Sequence, residues 1–324
     1  MGGKSIPLYL FTGFLGSGKT SVINSLLEQM SDKKVGLVLN DFGAITVDSA
    51  LVKGSGEVVA STSFSGGQIF CSCLSGSFIN AVEAMVAYPL DAIIVEASGL
   101  AKPAPLLEIV SIIQQRTKDR VSYGGMICVL DAERYLLLSQ ALKTLEEQVV
   151  FSDWFILNKT DLVDEATLTE IITQVEGLRP LAPLFKTSFG KVSPNMVSQL
   201  EASGTTKPIT IGDASRYQGW GTHGRPKNCT FLPLEAFELS ALQSFLTTVS
   251  AQMLRMKGFI PTTSDKAYLV DVVGPHIKIQ ESDLPTTIEP GVMCIYSPDV
   301  DAVSLLQGEW KRVAGSPSSC TLNP

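Results

Sequence analysis

Basic residues are in the minority in this chain: 25 lysines and arginines stand against 32 aspartates and glutamates, a net charge of −7. That balance argues against binding nucleic acid through a broad basic surface, because neutralising phosphates takes clustered Lys and Arg. Cysteine is sparse as well. Six in 324 residues cannot frame a disulfide scaffold, and a reducing cytoplasm is the expected setting. Histidine is almost missing: His223 sits in a Gly-rich stretch, His276 follows a Gly-Pro turn, and neither has a partner at metal-ligand spacing. No run of 18 or more apolar residues is present, so no segment is expected to span a membrane. Internal repeats and low-complexity tracts are also lacking. The apolar run from Ile6 to Leu15 behind Lys4 has the outline of a secretion signal, yet it leads into a phosphate-binding type of loop, which a buried first strand explains better.

What is present is alternation. Apolar runs at 6–12, 35–40, 92–95, 125–131, 154–158 and 184–187 read as strands. Helical patterns at 19–30, 76–88, 105–115, 132–152 and 165–176 lie between them. Apolar strands separated by helices predict an α/β domain with a mainly parallel sheet covered on both faces. Residues 204–228, rich in Gly, Thr, Ser, Lys and Pro, read as a linker or long loop. Beyond them, strands at 230–234, 267–273, 277–281 and 292–296 and helices at 239–253 and 300–306 predict a smaller α+β domain. The expected organisation is 1–203, linker 204–228, and 229–324.

Three motifs carry the chemistry. Gly13-Phe14-Leu15-Gly16-Ser17-Gly18-Lys19-Thr20 fits G-x-x-x-x-G-K-[ST] between a strand and a helix. Its glycines let backbone N–H groups turn inward on phosphates; Lys19 is expected to reach the β/γ-phosphates and Thr20 to ligate Mg²⁺. Asn158-Lys159-Thr160-Asp161 closes an apolar strand, where the Asp161 carboxylate is expected to accept hydrogen bonds from guanine N1 and N2. Adenine lacks those donors, so the motif predicts GTP and GDP rather than adenine nucleotides. Between the two, the strand Asp91–Val95 ends in Glu96, followed by Ala97-Ser98-Gly99. Glu96 is the candidate for the Mg²⁺ shell or for orienting water, and the Gly99 N–H for the γ-phosphate.

Two further segments bear on switching and metal. Asn40-Asp41-Phe42-Gly43 ends the second strand, and Asp41 is a candidate for joining Mg²⁺ or water in the triphosphate state, which would make 41–52 a switch. Cys71-Ser72-Cys73 offers two thiols able to share a soft ion such as Zn²⁺, with other ligands needed to complete the site. A pair of small, partly buried thiols is the alternative reading.

In their order, GFLGSGKT, NDFG, Cys-x-Cys, VEASGLAKP and NKTD make the chain resemble the CobW-type GTPases, relatives of the hydrogenase and urease nickel-chaperone GTPases. The resemblance is strong over about 6–190. It implies a GTPase domain over 1–203, a family-type C-terminal domain over 229–324, and coupling of GTP hydrolysis to delivery of a metal or metallocofactor, a corrinoid among them, to a client enzyme. A tendency to dimerise on nucleotide is implied too. Leu74 stands where the family's metal motif has a third thiol, Ala44 follows NDFG where the family commonly has Glu, and Ala97 replaces a customary Thr. These departures favour a second reading, a metal-free switch that gates a protein partner. No arginine is placed to enter the site in cis, which predicts slow intrinsic turnover.

Overall fold

The first apolar run forms β1 (Ile6–Thr12), and the strands that flank it in space come from far along the chain. In the computed structural model, which describes residues 5–40, 57–64, 75–202, 226–262, 266–283 and 290–323, the N-terminal unit adds β2 (Lys34–Asn40), β3 (Glu57–Phe64), β4 (Ala92–Glu96), β5 (Val121–Asp131), β6 (Trp154–Asn158) and β7 (Leu184–Lys186). The sheet order is β3-β2-β4-β1-β5-β6-β7 and every pairing is parallel. The strands β4, β5 and β6 are buried at every residue, the signature of a sheet covered on both faces.

Alternation along β1 divides the core. Ile6, Leu8 and Leu10 join one apolar cluster with α2 (Ser75–Met85) and α3 (Pro103–Arg116). Tyr9 and Phe11 join a second with α1 (Lys19–Gln29) and α7 (Pro194–Ala202). Parallel strands put all their carboxyl ends on one rim, and that rim is where ligands bind in sheets of this kind. The helical stretch expected at 132–152 is two helices, α4 (Tyr135–Ala141) and α5 (Lys143–Val150), because Leu142 takes an extended conformation (φ −126°, ψ 105°) that interrupts the hydrogen-bond ladder. α6 (Glu165–Leu178) begins where Asp164 caps it, its carboxylate accepting from the Thr167 N–H at 2.9 Å. Two elements of this unit had no expectation: β3, whose run EVVASTSF mixes Ser and Thr into the apolar pattern, and α7.

The C-terminal unit is a six-stranded antiparallel sheet in the order β11-β10-β9-β12-β8-β13. Its elements are β8 (Lys227–Pro233), α8 (Leu239–Val249), β9 (Met253–Pro261), β10 (Lys266–Val273), β11 (His276–Asp283), β12 (Gly291–Tyr296), α9 (Ala302–Ala314) and β13 (Ser318–Leu322). The two helices cover one face of the sheet around Trp310, which is fully buried. Phe231, Phe237 and Phe245 set their rings against its indole at 5.2–5.6 Å, all edge-on. Three cysteines from three strands meet in this core. The Cys320 thiol donates to Cys229 Sγ at 3.2 Å, and Cys294 pairs with Cys229 across the sheet. A hydrogen bond with Cys294 and burial push the Cys229 thiol up to about 12, so it packs as a neutral group. Among the described residues, no helix is long and apolar enough to cross a membrane.

Trp310→Ala is expected to cost about 3–5 kcal/mol, read as a lower urea midpoint for the C-terminal unit. A pH effect is expected in the N-terminal unit. Asp153 accepts from the Tyr123 hydroxyl and from the Met126 N–H at 2.9 Å, and burial still holds its carboxyl above the ordinary 3.8. The folded chain therefore keeps this proton to higher pH than the unfolded chain, and the stability it contributes is lost as pH rises from the ordinary value through the raised one. Asp153→Asn is expected to flatten that part of the stability profile, measured by urea unfolding across mildly acidic buffers.

Candidate nucleotide site

β1 ends at Thr12, and the loop that follows turns back toward α1 across the carboxyl rim of the sheet. Two glycines make this possible. Gly13 has φ +130° and a Cβ there would lie 2.2 Å from the Val129 carbonyl oxygen of β5; Gly18 has φ +96° and a Cβ would lie 2.3 Å from Asn158 Nδ2. No L side chain fits either position without displacing its neighbour. Gly16 also takes a positive φ of 76°. Within the loop, Lys19 is almost wholly buried and its ammonium donates to the carbonyls of Gly13 at 2.9 Å and Phe14 at 3.3 Å. The hydroxyl of Ser17 is buried with no hydrogen-bond partner among the described residues, a polar group of the kind a ligand satisfies.

The neighbouring strand brings the carboxylate. β4 pairs with β1 so that Glu96 stands opposite Phe11, at the same rim. Glu96 is buried, and the Thr20 hydroxyl donates to its Oε1 at 3.0 Å and Oε2 at 3.2 Å. A hydroxyl and a carboxylate held together beside a phosphate-type loop form a hard-oxygen donor set. Gly99, three residues on, lies so close to the loop that a Cβ would come within 2.7 Å of the Leu15 nitrogen. Its carbonyl accepts from the buried Gln148 of α5 at 3.1 Å.

The other half of the site is laced by side chains. Asn158, the last residue of β6, is buried and uses both ends of its amide. Nδ2 donates to the Ser17 carbonyl at 2.9 Å, and Oδ1 accepts from the Gly190 N–H at 2.9 Å. Lys159 takes a left-handed conformation (φ 62°), and its ammonium donates to Asp131 Oδ2 at 2.7 Å. Asp131 closes β5 in register with Asn158 and is nearly buried, so the ion pair ties two strand ends together. Thr160 donates to the Thr187 carbonyl from its N–H at 3.2 Å and its hydroxyl at 3.0 Å. Asp161 is left exposed.

All of these residues but Thr187 and Gly190 fall in a segment that a known family describes. The profile of the CobW/HypB/UreG nucleotide-binding domain matches residues 7–186, more than half of the chain. The chain belongs to this family. Relatives of CobW/HypB/UreG type include the zinc-regulated GTPase metalloprotein activator 1 of Dictyostelium discoideum, 26% identical over 261 residues that make up 68% of this chain and 54% of that protein. The zinc chaperone CobW of Sinorhizobium sp. is 30% identical over 198 residues, 52% of this chain and 55% of its own. The chain thus spans about half the length of the curated relatives it matches. Among solved structures, the Zn(II)-bound YjiA GTPase from E. coli aligns over 96% of this chain and 99% of its own at 16% identity and a TM-score of 0.47.

Of the residues singled out from the sequence, Gly13, Gly16, Ser17, Gly18, Lys19, Thr20, Glu96 and Gly99 come together around the loop after β1, while Asn158 and Lys159, with Asp161 two residues further along the chain, follow the end of β6. Asp41, Cys71 and Cys73 lie outside the described residues. Asp131, Gln148 and the stretch from Thr187 to Gly190 were missed. Asp131 carried the same mark as Glu96, an acid ending an apolar strand. The segment 187–190 carries no local mark, since its place depends on β7 pairing with β6.

Asn158→Ala removes a partner from two buried backbone groups, at about 1–3 kcal/mol each. The variant is expected to melt several degrees lower and to lose nucleotide affinity. Gly18→Ala is expected to abolish nucleotide binding while leaving the C-terminal unit's unfolding unchanged, followed by calorimetric titration and urea denaturation.

Proposed function

We propose that this chain binds and hydrolyses GTP and uses the nucleotide state to deliver a transition-metal ion to a client metalloenzyme. The observation that carries the nucleotide half is the meeting, at one rim, of the Gly13–Thr20 loop, the Thr20–Glu96 pair and the NKTD segment, with Asn158 of that segment bonded to the loop at Ser17. In this reading the loop N–H groups, the Ser17 hydroxyl and Lys19 bind the phosphates. The Asp161 carboxylate accepts from guanine N1 and N2. The Thr20 and Glu96 oxygens fit Mg²⁺, which when bound supplies charge neutralisation on the β/γ-phosphates. Glu96, with Asp41 in the switch segment, orients water, and the Gly99 N–H contacts the γ-phosphate. Residues 1–203 act as the GTPase domain, joined through 204–228 to the second domain at 229–324.

Support for the delivery half comes from family membership and from the zinc-related names of the relatives, which favour a Zn²⁺-like ion over a corrinoid as cargo. Cys71 and Cys73, which lie between β3 and α2 in the sequence, are the proposed cargo thiols. Leu74, in the place of a third thiol, favours a second reading in which the chain is a GTP-dependent switch on a partner protein and carries no metal. A nucleotide-dependent homodimer is compatible with either, since a second copy supplies further ligands or closes the site.

With Mg²⁺, the purified chain is expected to release phosphate from GTP and not from ATP, and Lys19→Ala to abolish this. Asp161→Asn is expected to weaken GTP binding by about a hundredfold or more and to shift preference to xanthosine triphosphate, whose C2 oxygen replaces the guanine amino group. For the cargo, elemental analysis of reduced protein, with and without a non-hydrolysable GTP analogue, is expected to find Zn²⁺ that Cys71→Ser/Cys73→Ser loses. Equal metal content in the two proteins would leave the switch reading.

A further inference from the structure

We infer that Phe189 is the aromatic surface on which the nucleotide base stacks. The inference rests on the proposed guanine reading of Asn158–Asp161 and names a contact that the motif does not include. Phe189 is 76% exposed and takes a left-handed backbone (φ 57°), a conformation unfavourable for a bulky L residue. Single exposed aromatics are ordinary on protein surfaces. An exposed aromatic held in a strained conformation is not, and such outliers gather at ligand sites.

The strain has a visible cause. On one side of Phe189, the Thr187 carbonyl accepts twice from Thr160, and the Ser188 hydroxyl lies 3.0 Å from that of Thr160. On the other, the Gly190 N–H is held by Asn158 Oδ1 at 2.9 Å, and Gly190 itself is left-handed (φ 69°). Both neighbours of Phe189 are therefore fastened to the segment that reads the base. The chain between the two anchors has no freedom to fold the ring into the core. The fold thus sets a large apolar face in water, on a turn whose flanking residues are bonded to Asn158 and Thr160. A purine ring covers such a face: base–aromatic stacking is sequence-tolerant and typically strong enough that truncation to Ala costs several-fold to a hundredfold in affinity. Phe189 adds affinity for the ring system, while the choice of guanine falls to Asp161.

The test uses the full chain with GDP, GTP and, as a ligand without a base, tripolyphosphate, each with Mg²⁺. Phe189→Ala is expected to weaken GDP and GTP roughly tenfold and equally, to leave tripolyphosphate unchanged, and to leave the melting temperature of the ligand-free protein unchanged. Phe189→Tyr restores the affinity. In Phe189→Trp, guanine quenches the new indole's emission on GDP binding. If wild type binds GDP and GTP and Phe189→Ala binds them equally well, or Phe189→Trp emission does not respond to bound GDP, the stacking role is wrong and the GTP reading stands. If wild type binds no guanine nucleotide, both fall together.

Discussion

One carboxamide sets the geometry of the site. Asn158 is the point at which three separate stretches of chain are held in one place: the end of β6 that carries it, the phosphate-type loop through the Ser17 carbonyl, and the turn after β7 through the Gly190 N–H. Its two bonds use opposite polarities from two different atoms of one planar amide, which neither a carboxylate nor an amine supplies. Because the group is buried, its partners have no water to turn to if it is lost. The closeness of Gly18 follows from the same contact, since the loop must pass within reach of the amide without a side chain between them. The left-handed turns at Lys159, Phe189 and Gly190 are what the backbone adopts to meet these anchors.

The sheet makes the convergence possible. β1, β4, β5 and β6 are neighbours in space but are drawn from positions as far apart as Ile6 and Asn158, and parallel pairing brings their carboxyl ends to a single rim. Apolar clusters on both faces fix the strands' register, so Glu96 and Asp131 are placed by the packing of residues well behind them. Buried acids at strand ends are costly unless bonded. Here each has found a partner, Thr20 for Glu96 and Lys159 for Asp131. The C-terminal unit is organised differently, around an aromatic cluster on one face of an antiparallel sheet.

The fold class and the phosphate side were readable in the sequence because their signals are local. An apolar run buried on both faces, then a Gly-rich loop with Lys and Thr, states β1, the loop and α1 within 25 residues or so. β3 was hidden because Ser and Thr alternate through its run, and β9 and β13 because their patterns are short or mixed. The lacing of the base side was hidden for another reason. Nothing near Thr187 or Gly190 marks them, and their role exists only once β7 lies beside β6. Asn158 was marked as the first residue of its motif; what remained illegible was which groups its amide would hold, the Ser17 carbonyl and the Gly190 N–H.

The lacing around Asn158, Lys159 and Thr160 consists wholly of bonds from protein to protein, on strand ends fixed by the core. Across the site, in the loop after β1, the Ser17 hydroxyl is buried with no hydrogen-bond partner among the described residues and is left for a ligand to satisfy. At the end of β6 the fold itself has already met the entropic cost of arranging these groups. In the proposed reading, discrimination between nucleotide states falls to the phosphate loop, and the laced end of β6 is the fixed hinge pin against which any movement there is measured.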